Sequence, residues 1–178
     1  MSIPQEPKPA KLVIGFFLNN KQLLEPIAKE LSARFGSADI ISSWMPFDYT
    51  AYYEREMGAP LFRRLFAFEK LIQQSMLAQI KVSTNQIEQH YGRDGKRCVN
   101  IDPGYLVQER FVLASGKNYS HRIYLSEGIY ADLTLIYHQG RFQELPWTYP
   151  DYADRPMLRV LERIRHKYVL DMKKDSRI

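Results

Sequence analysis

The sequence predicts an α+β domain built on a sheet that is mixed but rich in antiparallel pairs. Several segments of strand length are dominated by apolar, β-prone residues, and three others repeat apolar residues at the spacing of an amphipathic helix. Short turns containing glycine separate the strands of the second half. We therefore expect a C-terminal β-meander and about three helices packed on one face of the sheet.

The composition fits a single domain over residues 1–178. Hydrophobic residues make up 45% and charged residues 25% of the chain, as in ordinary globular proteins. The single cysteine, Cys98, excludes an internal disulfide. The longest apolar runs are too short to span a bilayer and the N-terminus lacks the apolar run of a signal peptide, so we expect a cytoplasmic protein with no membrane partner.

Strands alternate with helices in the first part of the chain. Residues 11–18 are almost continuously apolar, which favours a central strand, and residues 38–44 predict a second strand. Between them, apolar residues recur at i, i+4 and i+8, which predicts a helix that Asn20 caps and Gly36 ends. Residues 1–10 are expected to be a flexible segment.

Three later segments complete the layered part of the fold. Residues 62–72 alternate in a way that favours a strand over a helix. Residues 76–91 form the clearest internal helix, which Gly92 ends and whose polar face carries Lys81. An amphipathic helix over residues 157–173 is expected to dock on the sheet.

The second half predicts a meander, whose strands are residues 97–102, 108–115, 120–125, 129–138 and 141–145. The first of these strands is expected to end in a type II turn at Pro103-Gly104. The second and third are expected to pair directly with each other. The last two are expected to pair across the two-residue turn Gln139-Gly140.

A set of motifs in this half resembles a known family. Residues 99–106 are Val-Asn-Ile-Asp-Pro-Gly-Tyr-Leu, and residues 145–152 are Leu-Pro-Trp-Thr-Tyr-Pro-Asp-Tyr. Together with Lys117-Asn118 and residues 121–125, they resemble the prokaryotic domain-of-unknown-function family 4416, over about residues 11–171. The resemblance implies no established reaction, although some members carry a GTP-binding label. Since this chain has no Gly-x-x-x-x-Gly-Lys-Ser/Thr loop, any phosphate must be held by other residues.

The hairpin between the third and fourth strands predicts a register. A three-residue loop over residues 126–128 sets Leu125 opposite Ile129. Arg122 then lies opposite Asp132 on a polar face of the sheet. If this face were merely solvated, the two residues would form an ordinary cross-strand ion pair of at most about 1 kcal/mol.

Polar residues at the neighbouring strand ends make this face a candidate site, because a rigid scaffold commonly positions functional loops. The candidate ligand-binding residues are Lys81, Asn100, Asp102, Lys117, Asn118, Arg122, Tyr124, Asp132, Trp147, Tyr149 and Asp151. Their cations could neutralise a phosphate, and Trp147 and Tyr149 could stack on a base. If Mg²⁺ is used, its oxygen ligands would come from Asp102, Asp132 and Glu69.

Other chemistries find less support in the sequence. The four histidines and Cys98 lack zinc-ligand spacing, and no Gly-x-Ser-x-Gly elbow indicates a hydrolytic triad. His121 falls on the apolar face of the predicted hairpin. We expect it to be a core histidine whose hydrogen bonds are satisfied.

These observations lead to three hypotheses about function. The first is a binding domain for an anionic, phosphate-bearing small ligand such as a nucleotide, with enzymatic activity left open. The second is RNA binding through exposed aromatic residues and a basic C-terminal helix. The basic residues in question are Arg155, Arg159, Arg163, Arg165, Lys167, Lys173, Lys174 and Arg177. The third is a structural or interaction domain whose polar face is simply solvated.

Overall fold

The computed structural model describes residues 1–175, with side chains up to residue 173. Arg177 and the side chain of Lys174, both counted in the predicted basic C-terminus, lie outside the described residues. The helices are α1 Leu24–Phe35, α2 Glu54–Met57, α3 Leu77–His90, α4 Pro150–Ala153 and α5 Arg155–Asp175. The strands are β1 Ala10–Leu18, β2 Ala38–Ile41, β3 Met45–Pro46, β4 Phe62–Ile72, β5 Val99–Leu106, β6 Arg110–Ser115, β7 Arg122–Ser126, β8 Ile129–His138 and β9 Arg141–Glu144.

The strands form one antiparallel sheet, which confirms the predicted α+β class. Across residues 1–175 the strand order is β2-β4-β1-β5-β6-β8-β7, with β3 paired to β4 and β9 paired to β8. The continuously apolar β1 lies fully buried between β4 and β5, as a central strand should. The turn at Gln139-Gly140 has positive φ at both residues and joins β8 to β9 as predicted.

The predicted meander is wrong at one position. β6 and β7 do not pair with each other, because β8 lies between them and pairs with both. The connection formed by residues 116–121 carries the chain from β6 to the far side of β8. Local turn composition identifies where a strand ends, but it does not identify a later strand that inserts between two earlier ones.

The predicted turn at Pro103-Gly104 is also wrong, since β5 continues through both residues. The N–H of Ile101 donates to Glu88 and points away from β1. Backbone groups alternate in direction along a strand, so the nitrogen of Pro103, two residues after Ile101, also faces away from β1. Its lack of an N–H therefore removes no hydrogen bond between β5 and β1. Gly104 allows β6 to approach closely, because a Cβ there would lie 2.5 Å from the carbonyl oxygen of Val112.

Helices lie on both faces of the sheet, whereas the sequence placed them on one. On the first face, α1 packs Phe35 against Phe68 of β4, and α3 lies over β5. On the second face, Tyr152 of α4 covers Gly15 and contacts Phe111 of β6. No helix within residues 1–175 is both long enough and apolar enough to cross a membrane.

Candidate ligand-binding site

The β7–β8 hairpin places Arg122 opposite Asp132 and Tyr124 opposite Tyr130, as the sequence predicts. Since direct partners share a face, all four side chains start from the second face of the sheet. The same face carries Ser115 of β6, which lies opposite Tyr130.

The turn of this hairpin differs from the prediction. Ser126, not Leu125, lies opposite Ile129. The chain therefore reverses through the two-residue turn Glu127-Gly128, which has positive φ at both residues. A bulge at Leu125 adds one residue to β7 and restores the register of the residues before it.

Arg122 is buried and saturated with protein contacts. Its Nε donates to Asp132 Oδ2 at 2.8 Å, and its Nη1 donates to Ser115 Oγ at 2.8 Å and to the Lys117 carbonyl at 3.0 Å. Its Nη2 donates to the Tyr149 hydroxyl at 3.3 Å. The Arg122 and Asp132 side chains are 3% and 6% exposed, so they are not the solvated cross-strand pair of the third hypothesis.

His121 does not occupy the apolar core, so that prediction is wrong. β7 begins at Arg122, after His121, and the imidazole instead lies parallel to the rings of Tyr119 and Trp147. The ring centroids are 6.0 Å and 5.2 Å from that of His121, with interplanar angles of 2° and 12°. Its Nε2 lies 3.4 Å from Asp132 Oδ2. His121 therefore belongs to the polar cluster around Asp132.

A second buried cluster centres on Arg63 of β4. The β-sheet register sets Arg63, Phe17 and Asn100 side by side on the same face as Arg122. Arg63 pairs with Asp151 of α4 through Nη1, and its Nη2 lies 3.5 Å from Asp102 Oδ2. Asn100 donates to the same Asp102 oxygen at 2.7 Å. Three of the predicted site residues thus meet around an arginine that sequence analysis did not select.

Aromatic rings enclose the Arg63 guanidinium. Its Cζ lies 5.5 Å from the ring centroid of Phe17, 4.8 Å from that of Phe47 and 4.7 Å from that of Tyr152. These rings exclude water and attract the cation, which strengthens the ion pair with Asp151. The Nε of Arg63 is buried and makes no hydrogen bond.

An ion pair ties α2 to this cluster. Arg97 donates to Glu56 through Nε at 2.8 Å and through Nη2 at 2.7 Å, and its Nη1 donates to Asn100 at 2.9 Å. These hydrogen bonds hold the pKa of Glu56 below its usual range. Burial, reinforced by the charge of Asp102, raises the pKa of Tyr53 to about 12, so its hydroxyl stays protonated beside the carboxylate.

Lys81 and Glu88 of α3 replace a missing strand neighbour. Only residues 104–106 of β5 pair with β6, so the first part of β5 has no strand neighbour on that side. There Lys81 Nζ donates to the Ile101 carbonyl at 2.7 Å, and Glu88 Oε1 accepts from the Ile101 N–H at 2.6 Å. Lys81 also lies 3.9 Å from Asp102. The contacts of Lys81 are therefore with the backbone and with carboxylates, which satisfies it structurally.

Glu88→Gln provides a pH test of this arrangement. Burial raises the pKa of Glu88, so ionising it costs folding free energy once the pH exceeds the pKa of the unfolded chain. Gln retains the oxygen that accepts from Ile101. We expect the stability of Glu88→Gln relative to wild type to increase between pH 4 and pH 7, as measured by urea unfolding. A loss of stability that grows between pH 4 and pH 7 would instead indicate that the attraction between Glu88 and Lys81 outweighs burial.

Tyr152 lies over Gly15 because no side chain intervenes. A Cβ on Gly15 would be 3.2 Å from the Tyr152 hydroxyl oxygen. That hydroxyl is fully buried and has no hydrogen-bond partner. Burial raises its pKa, and the charges of Asp102 and Asp132 both raise it further. The hydroxyl thus lies within electrostatic reach of both polar clusters.

Partly exposed aromatic side chains surround the two clusters; we call them the aromatic rim. Its members are Tyr49, Tyr52, Tyr119, Trp147 and Tyr149. The Lys117 ammonium lies 5.1 Å from the ring centroid of Tyr52, which connects the loop after β6 to the loop before α2. Burial and a hydrogen bond to Asp154 raise the pKa of Tyr49 to about 12.

The structure joins most, but not all, of the predicted residues. Around Arg122 it assembles Asp132, Lys117 and Tyr149, with Trp147 stacked on the adjoining His121. Around Asp102 it assembles Asn100 and Lys81, and Arg63 links Asp102 to Asp151. Tyr124 is exposed and packs only on Tyr130. Asn118 is exposed and makes no side-chain hydrogen bond among the contacts of residues 1–173.

The proposed Mg²⁺ ligands do not assemble. Glu69 lies on an exposed part of β4 and lines a surface groove beside Lys167 and Asp171. Within the described residues, no group of three His, Cys, Asp or Glu side chains is arranged to hold a metal ion. The set Asp102, Asp132 and Glu69 is therefore wrong as a metal site.

Sequence analysis missed Arg63, Glu56, Arg97 and Tyr152. Arg63 offered one signal, because it is a charged residue close to the four consecutive apolar residues 65–68 of the same strand. A charged side chain in such a strand needs a buried partner. Its partner, Asp151, is far away in sequence, and no spacing rule connects the two.

Comparison with known proteins gives one match. The family described as domain of unknown function (DUF4416) matches residues 8–168 of this chain. No curated protein and no solved structure matches it. The family description states no ligand and no reaction.

Proposed function

The chain belongs to the DUF4416 family, and we propose that it binds a small phosphate-bearing ligand at the polar face of its sheet. In this proposal the planar part of the ligand rests on the aromatic rim. Its phosphate lies beside Lys117 and Arg122, and its hydroxyl groups face Asp102. A nucleotide has all three of these chemical features.

The observation that carries the proposal is the concentration of buried charge on one face. The buried charges of this face are Arg63, Arg122, Asp132 and Asp151; the partly exposed Arg97, Glu56 and Asp102 adjoin them, and Lys81 and Glu88 of α3 contact the edge of β5 nearby. Removing charges from water costs free energy that ion pairing recovers only in part. Such groups concentrate at functional sites, where they are positioned for a ligand.

The exposed side of the clusters supports a ligand with both acidic and hydroxyl groups. The Asp102 side chain is 27% exposed and can accept hydrogen bonds from a ligand. The ammonium of Lys117 makes no ion pair with any carboxylate among residues 1–173. Lys117 is therefore free to bind a phosphate, while Arg122 contributes a nearby, already neutralised guanidinium.

We expect GTP, ATP or another phosphorylated metabolite to raise the melting temperature of the protein. Ligand that binds only the folded state stabilises it by about 2.7 kcal/mol at a concentration of 100 times Kd. In Lys117→Ala, at least ten times more ligand should be needed for the same stabilisation, because the substitution removes the free cation. The measurement is a thermal-shift titration with each ligand, with and without Mg²⁺.

Lys70→Ala is the matched control. Lys70 is an exposed lysine near the opposite end of β4 from Arg63. It should leave the ligand response unchanged. If neither nucleotides nor sugar phosphates shift the melting temperature of the wild-type protein, the proposed function is wrong.

A second candidate function, RNA binding, has one specific observation in its favour. Arg155, Arg159 and Arg163 recur at four-residue intervals on α5, are exposed, and form no ion pair among the described side chains. A row of free arginines suits a phosphate backbone. RNA binding predicts retention on single-stranded RNA at low salt and a steep loss of affinity as salt rises. Absence of retention at low salt would remove this candidate.

A further inference from the structure

His121 is held in one orientation by its neighbours. The rings of Tyr119 and Trp147 lie parallel to its imidazole, and Trp147 is itself fixed by a hydrogen bond of 2.9 Å from its Nε1 to the Leu133 carbonyl. The buried Nε2 of His121 faces Asp132 Oδ2 at 3.4 Å. A carboxylate at this position favours the neutral tautomer that carries its proton on Nε2.

This orientation leaves the other ring nitrogen available. The Nδ1 of His121 makes no hydrogen bond among the described residues, and the side chain as a whole is 17% exposed. In a nucleophile-activating base one ring nitrogen faces an acidic group and the other is free to accept a proton; the Nε2 of His121 lies 3.4 Å from the Asp132 carboxylate without forming a hydrogen bond to it. A histidine that merely filled the core would have both nitrogens enclosed.

The groups that would hold a phosphate adjoin this imidazole. Arg122 and His121 both lie next to Asp132 Oδ2, at 2.8 Å and 3.4 Å. The Arg122 guanidinium also lies 4.7 Å from the ring centroid of Tyr119. Arg122 also donates to the carbonyl of Lys117. A phosphate beside Lys117 and Arg122 would therefore lie at the same end of the sheet as the free nitrogen of His121.

We propose that His121 is a general base that activates water for hydrolysis of a phosphoanhydride bound at this site, an inference that rests on the proposed function. The Nδ1 of His121 takes a proton from the water molecule while the water oxygen forms a bond to phosphorus. The bond from phosphorus to the bridging oxygen breaks, and its electron pair leaves with that oxygen. The imidazolium then returns the proton to the departing phosphate or to solvent. Lys117 stabilises the charge that develops on the phosphate oxygens, and Arg122 positions the Lys117 backbone by donating to its carbonyl.

The test combines binding and turnover measurements on the full chain. GTP and ATP with Mg²⁺ serve as probes, phosphate release reports hydrolysis, and the thermal shift reports binding. We expect His121→Gln to slow phosphate release at least about 100-fold, the typical contribution of a general base. The ligand concentration at half-maximal thermal shift should change less than threefold. His166→Gln, which changes an exposed histidine on α5, should alter neither measurement.

Nitrogen NMR of the labelled imidazole tests the orientation without any substrate. We expect the neutral form of His121 to carry its proton on Nε2, and a proton on Nδ1 would overturn the inference. Nucleotide stabilisation without phosphate release, or release by His121→Gln at the wild-type rate, would overturn it while leaving the proposed function standing. Absence of stabilisation by nucleotides would overturn this inference, and the proposed function would be rejected with it only if sugar phosphates also failed to stabilise the protein.

Discussion

Arg122→Met should lower the free energy of unfolding by about 3–5 kcal/mol, because it leaves the buried carboxylate of Asp132 without its guanidinium partner. The Asp132 side chain is only 6% exposed, and its remaining nearby polar side chains are His121 and Thr134. Urea unfolding at pH 7 measures the effect. A partly exposed pair, as the sequence alone allowed, would cost about 1 kcal/mol.

Two further variants identify the origin of this loss. Arg110→Met removes a partly exposed arginine of β6 that pairs with Glu109, and it should cost about 1 kcal/mol or less. In the double variant Arg122→Met with Asp132→Leu, no charge is left unpaired, so much of the lost stability should return. If the double variant loses as much free energy of unfolding as the two single variants together, the unpaired charge is not the cause of the loss.

The regular elements were predictable because their signals are local. The apolar run of β1, the spacing in α1 and α3 and the glycines that end helices all act within a few residues. The strand pairs that were mispredicted depend on distant partners. Pro103-Gly104 has the composition of a turn, yet its position beside β1 makes both residues tolerable in a strand.

The polar pair of the hairpin was predictable for a specific physical reason. Side chains alternate with a period of two, so Arg122 and Asp132 share a face in any register that sets them opposite each other. The loop assumed by the prediction was one residue too long, and the bulge at Leu125 compensated for that error. The sequence predicted the face correctly, but it contained no signal for the bulge.

Burial of the charged residues could not be predicted. Lys11 is fully buried and pairs with Asp39 of β2, and it lies 3.6 Å from Asp171 of α5. Lys11 starts an otherwise apolar run, but nothing local indicates its partners, because α5 and β2 meet there only through the tertiary fold. Arg63 and Asp151 present the same difficulty at the site. Ion pairs between distant segments follow from the fold and cannot be derived from spacing.

Arg63→Met should be at least as destabilising as Arg122→Met, with an expected loss of about 3–5 kcal/mol. Arg63 is the partner of Asp151, whose side chain is 8% exposed, and it also lies next to Asp102. Its removal leaves Asp151 unpaired among aromatic rings, where a lone carboxylate is poorly solvated. Urea unfolding at pH 7 measures the loss.

Arg64→Met is the matched control, since Arg64 is the next residue of β4 and points to the opposite face. Arg64 is half-buried, stacks on Trp44 and donates to the Ser42 carbonyl at 2.7 Å, but it holds no buried carboxylate. Its loss should cost about 1 kcal/mol. Arg63→Met combined with Asp151→Leu should recover much of the stability, because the pair is then replaced by apolar groups. Equal losses for Arg63→Met and Arg64→Met would contradict a buried ion pair at the centre of the site, and the argument from buried charge to ligand binding would fail with it.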